Sequence, residues 1–258
     1  MLVDSHCHLD RVGLGPYDGD FFRFLDRTRE AGVGQMLCVA IDMEKYPAMV
    51  RLVEGVADIS LSVGVHPNER ETESPAPERL AELAQHPQNV AIGETGLDYY
   101  HGKGDLSWQH ERFRQHIRAA RLCNKPLIIH SRDAREDTLR IMREEGAGQV
   151  GGVMHCYTEN WEMASQALDM GFYISFSGII TFRNADELRA VAAQVPKERL
   201  LIETDSPYLT PIPHRGKPNE PRHVILVAEK LAEIRGMTTE EMVELTGRNF
   251  GRLFLGRD

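Results

Sequence analysis

Eight short runs of nearly continuous apolar residues divide this chain, and their spacing constrains the fold more than any other feature. They begin near Leu2, Gly34, Ile59, Val90, Pro126, Val150, Phe172 and Leu200. Intervals of roughly 20 to 40 residues suit strand–helix units. Met36 to Ala40, Leu127 to Ile129 and Leu200 to Ile202 do not alternate apolar with polar. Strands buried on both faces read this way, so a parallel sheet is expected. Helical stripes fill the gaps: Phe21, Phe22 and Leu25; Met49, Val50, Val53 and Val56; Trp108, Phe113 and Ile117; Trp161, Ala164 and Leu168; Leu188, Val191 and Val195. Capping-box spacing predicts helix starts at Asp133–Glu136 and Thr238–Glu241. Eight strands alternating with helices in 258 residues is the arithmetic of a TIM (β/α)8 barrel, expected here as one domain over residues 1–258. A doubly wound open sheet is the alternative, weakened because no Gly-x-Gly-x-x-Gly follows the first run. The Pro- and Gly-rich stretch Ser206 to His223 reads as a long rim loop ahead of two last helices.

Charge and cysteine usage narrow the partners. Thirty Lys and Arg against 39 Asp and Glu leave a net charge of -9, which excludes a bulk basic footprint for gripping duplex nucleic acid. No apolar run approaches the length of a membrane span. Met1 to His6 has neither a basic stretch nor a long apolar one, so no secretory leader and a cytoplasmic location are expected. Cys7, Cys38, Cys123 and Cys156 form no paired Cys-x-x-Cys pattern and are expected to be reduced. A monomer is expected.

Placed on a barrel, the histidines gain meaning. His6 and His8 end the first strand, Glu94 the fourth, His130 the fifth, His155 the sixth and Asp205 the eighth. In such barrels, functional groups come from the carboxyl ends of different strands. Four imidazoles and two carboxylates would converge on one mouth, a donor set suited to divalent metals. His6 and His8 stand two apart, so an extended backbone aims both to one side and Cys7 to the other. Cys156 is likewise read as a core residue. Glu203 shares a side with Asp205, either as a partner for a metal-bound imidazole or as a polar residue of the barrel's top layer. His66, before Pro67, ends the third strand and is read as a substrate-binding residue, with a preorganised turn as the alternative. His86, His110 and His116 fall in helical patterns and are read as surface or packing residues. His101 and His214 lie in loops that follow strands.

These residues resemble the TatD family of metal-dependent deoxyribonucleases, within the wider amidohydrolase-type barrels. The matching segments are Asp4-Ser5-His6-Cys7-His8-Leu9-Asp10, Gly64-Val65-His66-Pro67, Ile92 to Tyr100, Ile129-His130-Ser131-Arg132, His155-Cys156-Tyr157-Thr158 and Glu203 to Leu209. They span nearly the whole chain in family order. Gly171 to Gly178 and Pro213-His214-Arg215-Gly216-Lys217 add a likeness to the YcfH branch. Tyr157, Thr158 and Glu159 stand where the family often has Phe and then Ser-Gly, which changes the loop beside the ligand His155.

The resemblance implies two divalent ions, with Mg, Mn and Zn all open. His6, His8, Glu94 and Asp205 would hold one, and Glu94, His130 and His155 the other, with Glu94 bridging. Many related barrels bridge with a carboxylated lysine; here Lys125 precedes the fifth strand rather than ending it. The resemblance also implies cleavage of DNA phosphodiesters by a metal-activated water, acting 3′-to-5′ on single strands or strand ends. Asp205 and Glu94 would be catalytic, and His66, Arg132, Arg183, Arg215 and Lys217 would meet substrate. Two competing functions are C–N or ester hydrolysis on the same barrel, and metal binding without catalysis. Two divalent ions would bring the charge from -9 to -5. The rim is mixed: Lys103, Arg132, Arg183, Arg215, Lys217 and Arg222 face Glu69, Glu71 and Glu73.

Overall fold

The computed structural model describes residues 1–70 and 74–257, so Glu71 and Glu73 lie outside the described residues. Eight parallel strands pair in sequence order: β1 (Leu2–Cys7), β2 (Val33–Cys38), β3 (Ile59–Val63), β4 (Asn89–Asp98), β5 (Leu127–Arg132), β6 (Gly152–Met154), β7 (Phe172–Phe176) and β8 (Leu200–Ile202). A parallel bridge between Cys7 and Ser206 closes the sheet on itself. There Asp205 N donates to His6 O at 2.9 Å and His8 N to Ser206 O at 2.8 Å. Behind that seam the buried Asp4 carboxylate accepts from Thr204 N (2.8 Å) and Thr204 Oγ1 (2.5 Å). Burial nonetheless pushes the Asp4 carboxyl up to about 8. The architecture is the (β/α)8 barrel expected from the eight runs.

Helices cover the outside: α1 (Phe21–Glu30), α2 (Tyr46–Val53), α3 (Pro77–Leu83), α4 (Ser107–Cys123), α5 (Arg135–Glu144), α6 (Trp161–Asp169), α7 (Asp186–Gln194), α8 (Val224–Arg235) and α9 (Thr239–Phe254). None is long and apolar enough to cross a membrane. Two apolar layers result. Val3, Leu37, Val39, Ala91, Ile128, Val153, Tyr173 and Leu201 fill the barrel, joined by Phe250 and Phe254 of α9. That helix packs at the amino-terminal end, where Asn249 Nδ2 donates to Lys197 O and Leu200 O, each at 2.8 Å. A larger layer, including Cys7, Cys38, Phe24, Phe113 and Leu231, lies between strands and helices. All four cysteines are free thiols.

Local details depart from the sequence reading in four places. Phe22 is 61% exposed; Phe21, Phe24 and Leu25 form the buried face of α1. Val56 lies beyond the end of α2. The Thr238–Glu241 capping box forms. At α5, by contrast, Asp133 adopts φ 55° and Ala134 is the N-cap, with no side-chain cap, so that box does not form. Finally, β4 and β5 stay paired through Asp98↔Arg132. Glu94 and His130 therefore lie within their strands rather than at the ends.

Candidate metal centre

A bulge sets the aim of the first two imidazoles. From Asp4 to Cys7 β1 advances three residues, while β2 advances two, from Met36 to Cys38. The extra residue breaks the alternation. Ser5 faces inward, within 3.3 Å of Ser175 Oγ, and so does His6. Cys7 turns outward, its thiol 3.4 Å from Leu37 O. Gly93 and Gly96 bracket Glu94 at φ 145° and 136°. A Cβ at Gly96 would collide with the His130 carbonyl oxygen, so glycine lets β4 lie close against β5.

Five of the six converging side chains, His8, Glu94, His130, His155 and Asp205, line a cavity of about 660 Å³ at the carboxyl-end mouth together with His66, while His6 is buried and does not line it. Glu94 stands between two sets of donors. Its Oε2 is 3.3 Å from His6 Nε2. His6 Nε2 is in turn 3.3 Å from His8 Nε2 and 3.7 Å from Asp205 Oδ1. Asp205 Oδ1 is 3.3 Å from His8 Nε2. On the other side, Glu94 Oε1 is 2.7 Å from His155 Nε2, 3.1 Å from His130 Nδ1 and 3.3 Å from His66 Nε2. Three sets of donor atoms each fall within 4.8 Å of one another: His6, His8 and Asp205; His66, Glu94 and His130; His6, His155 and Glu203.

Outer hydrogen bonds assign the tautomers. His8 Nδ1 donates to Val39 O at 2.9 Å, so Nε2, facing Asp205, is the nitrogen left to hold a proton or, in its absence, a metal. His155 Nδ1 lies 3.1 Å from Glu203 Oε1. His130 Nε2 lies 3.3 Å from Asp98 Oδ2, freeing Nδ1 toward Glu94. His66 differs: its Nδ1 accepts from Asn68 N at 3.0 Å, so Nε2 carries the proton. His66 therefore points a donor at Glu94, not a lone pair.

The donor set fits divalent metal. With Nδ1–H committed to Glu203, neutral His155 presents a lone pair to Glu94 Oε1, and its buried Nε2 has no hydrogen bond. Two acceptors 2.7 Å apart repel unless a cation lies between them. A proton can serve: burial opposes the charge, but the Glu94 and Glu203 carboxylates raise the His155 imidazole well above its usual range. Burial alone would raise Glu94, yet His155, His66 and His130 hold it well below the usual carboxylate range. Asp205 is likewise lowered, by His8 and His6 against the effect of burial. Both carboxylates are thus anionic.

Of the proposed substrate contacts, His66 and Arg132 line the cavity, while Arg183, Arg215 and Lys217 are exposed outside its lining. Arg132 lies over the Tyr100 ring at 4.1 Å, and Arg215 over Phe182 at 4.0 Å. Arg11 and Glu69 also line the cavity. Lys125 Nζ donates to the carbonyls of Ala84 and Asn89, away from the mouth. Among the residues that depart from the family pattern, Thr158 lines the cavity, whereas Glu159 is buried against Arg135. Sequence reasoning missed Asp98, which accepts from Asn68 Nδ2 (2.8 Å) and contacts His101 Nδ1 (2.9 Å) besides His130. Its place two steps of strand alternation beyond Glu94, in the series Glu94, Gly96 and Asp98, is the available signal.

A parallel barrel whose carboxyl-end mouth gathers imidazoles around a shared carboxylate defines a class, the metal-dependent barrel hydrolases. The family model described as TatD related DNase matches residues 3–255, and the chain belongs to that family. It is 48% identical to a protein of Escherichia coli K12 described as an uncharacterized metal-dependent hydrolase, YcfH, over 98% of this chain and 96% of that one. It is 42% identical to the uncharacterized metal-dependent hydrolase YabD of Bacillus subtilis 168, over 98% and 99%. Among solved structures, YjjV, a TatD homologue from Escherichia coli K12, superposes with a TM-score of 0.87 at 27% identity, covering 98% of each chain.

Proposed function

We propose that this hydrolase is a divalent-metal phosphodiesterase that removes nucleotides from DNA ends, working 3′-to-5′. The observation that carries the reading is the division of Glu94, with Oε2 toward His6 and Oε1 toward His130 and His155. That arrangement supports two ions, of Mg, Mn or Zn: His6, His8, Asp205 and Glu94 would hold one, and Glu94, His130 and His155 the other. Two such ions, when bound, lower the pKa of an attacking water and clamp the oxygens of an in-line displacement.

The chain's own residues do the rest. Asp205 turns Oδ1 to His6 and His8, and its other oxygen takes the proton of the attacking water. His66, whose Nε2–H faces Glu94 in the free site, turns that donor to a nonbridging phosphoryl oxygen when substrate enters, and Arg132 adds positive charge on the cavity wall. Arg183, Arg215 and Lys217 meet phosphates further along the strand. The net charge of -9 disfavours duplex binding and leaves the mouth to recognise a strand end.

The test is to strip the protein of metal, restore Mg²⁺, Mn²⁺ or Zn²⁺ in turn, and follow release from end-labelled single-stranded DNA beside a panel of amides and esters. Metal-dependent release of nucleotides from the 3′ end is expected. Hydrolysis of an amide or ester with no release from DNA would replace this reading with the amidohydrolase one.

A further inference from the structure

Helix α4 buries a polar stripe on its inner face. Gln109, Arg112 and His116 follow at helical spacing and are 1%, 2% and 0% exposed. Buried polar groups are costly unless bonded, and here the partners share one destination. Gln109 Nε2 donates to Pro67 O at 3.1 Å, and Arg112 donates to His66 O and Glu69 O at 3.2 and 2.7 Å. His116 Nε2 accepts from Val65 N at 2.9 Å, while its Nδ1 donates to Arg112 O at 2.8 Å. The stripe thus binds the backbone of residues 65, 66, 67 and 69. Gln109 also clasps the Asp98 backbone, accepting from its N at 3.1 Å. It thereby ties the loop to the strand whose carboxylate holds His130.

We propose that His116 is a positioning residue for His66. It touches neither substrate nor metal, and acts by holding the Val65 amide so that the neighbouring imidazole keeps its Nε2–H aimed at Glu94. The inference rests on the proposed role of His66 as donor to the phosphoryl oxygen. Three features support it. His116 has both nitrogens engaged, so its own tautomer is fixed with Nε2 as acceptor. Burial pushes its pKa down to about 4, so it stays neutral while the site works. His66 owes its donor nitrogen to a backbone bond two residues on, from Asn68 N, within the loop that the stripe holds.

The experiment uses the metal-loaded protein with His116→Leu, which removes the acceptor, and His116→Gln, whose Oε1 can reach Val65 N. Nitrogen-15 NMR of the His66 ring in the Zn²⁺ form reads its tautomer without any substrate. Turnover of end-labelled single-stranded DNA reads kcat and KM. Expected for His116→Leu are mixed His66 tautomers and a kcat about tenfold to a hundredfold lower, the scale of a misplaced catalytic group. KM and metal content should change little. His116→Gln should recover the tautomer and most of kcat, and His116→Leu should cost nothing further in a His66→Ala background. An unaltered His66 spectrum in His116→Leu, or an equal loss of kcat in both backgrounds, would overturn the proposal. If His116→Leu does not fold, His116→Asn, too short to reach Val65 N, replaces it with the same expectations. If the unaltered protein leaves DNA intact, the phosphodiesterase reading fails, and the NMR comparison alone still decides the positioning role.

Discussion

Glu94 and His155 meet at 2.7 Å, Oε1 to Nε2, while the other oxygen of the same carboxylate lies 3.3 Å from His6. One side chain therefore offers an oxygen to each of two groups of imidazoles, which also touch where the His6 and His155 rings stack at 3.9 Å. On the proposed two-ion arrangement, removing Glu94 takes a ligand from both sites, whereas His8 contacts donors of one group only. Elemental analysis after dialysis should show Glu94→Ala retaining less metal than His8→Ala, with His6→Ala close to His8→Ala. A Glu94→Ala protein holding as much metal as the unaltered chain would remove the bridging assignment.

Glu203 acts one step further out. It is fully buried, and its Oε1 holds His155 Nδ1 at 3.1 Å. A carboxylate there fixes the ring and makes Nε2 a better ligand. Loss of such partners typically weakens metal binding by about 10- to 100-fold. Glu203→Gln keeps an acceptor but not the charge, so the lower end of that range is expected. Competition against a fluorescent chelator measures it, and an unchanged affinity would reduce Glu203 to a polar residue of the barrel layer.

Much of this was legible in the sequence, and the exceptions have physical causes. Each strand begins within two residues of its apolar run, because continuous apolar character marks strands buried on both faces. Strand ends were less legible, since pairing rather than composition sets them. The β4–β5 pair continues to Asp98 and Arg132, whereas β6 stops at Met154 and leaves His155 in the loop. The same spacing that grouped His6 with His8 could not show the bulge that turns them inward. His116 falls in a helical pattern and reads as a surface or packing residue. It is buried, but its bond to Val65 N joins elements 51 positions apart, and no local pattern encodes that.

The burial of His116 also predicts an acid sensitivity. Its pKa falls from 6.5 to about 4, first through burial, with the Arg112 charge adding and the bond to Arg112 O opposing. Between those two values the unfolded chain binds the extra proton, so this contribution is whole above pH 6.5 and fades toward pH 4. The shift corresponds to about 3 kcal/mol. Urea unfolding at several pH values should show His116→Gln gaining on the unaltered protein by about that amount between pH 7 and 4. Parallel curves for the two proteins would contradict a neutral buried imidazole.

Asp205 carries the most direct prediction. It sits at the seam where the barrel closes, held at φ 55° with its N–H on His6 O. That geometry brings Oδ1 to His8 and His6, and the proposal gives the second oxygen to the attacking water. His8 and His6 hold the carboxyl below its usual range against the effect of burial, so it is unprotonated and able to accept a proton. Asp205→Asn preserves the shape and removes that capacity. On single-stranded DNA with metal restored, kcat should fall at least about 10²-fold, the usual contribution of a positioned base. KM should change less, because the phosphate contacts proposed for His66 and Arg132 are untouched. Elemental analysis of the same preparation separates lost metal from lost proton transfer: full metal with depressed kcat places Asp205 in the proton step. Turnover near that of the unaltered protein would take Asp205 out of the mechanism.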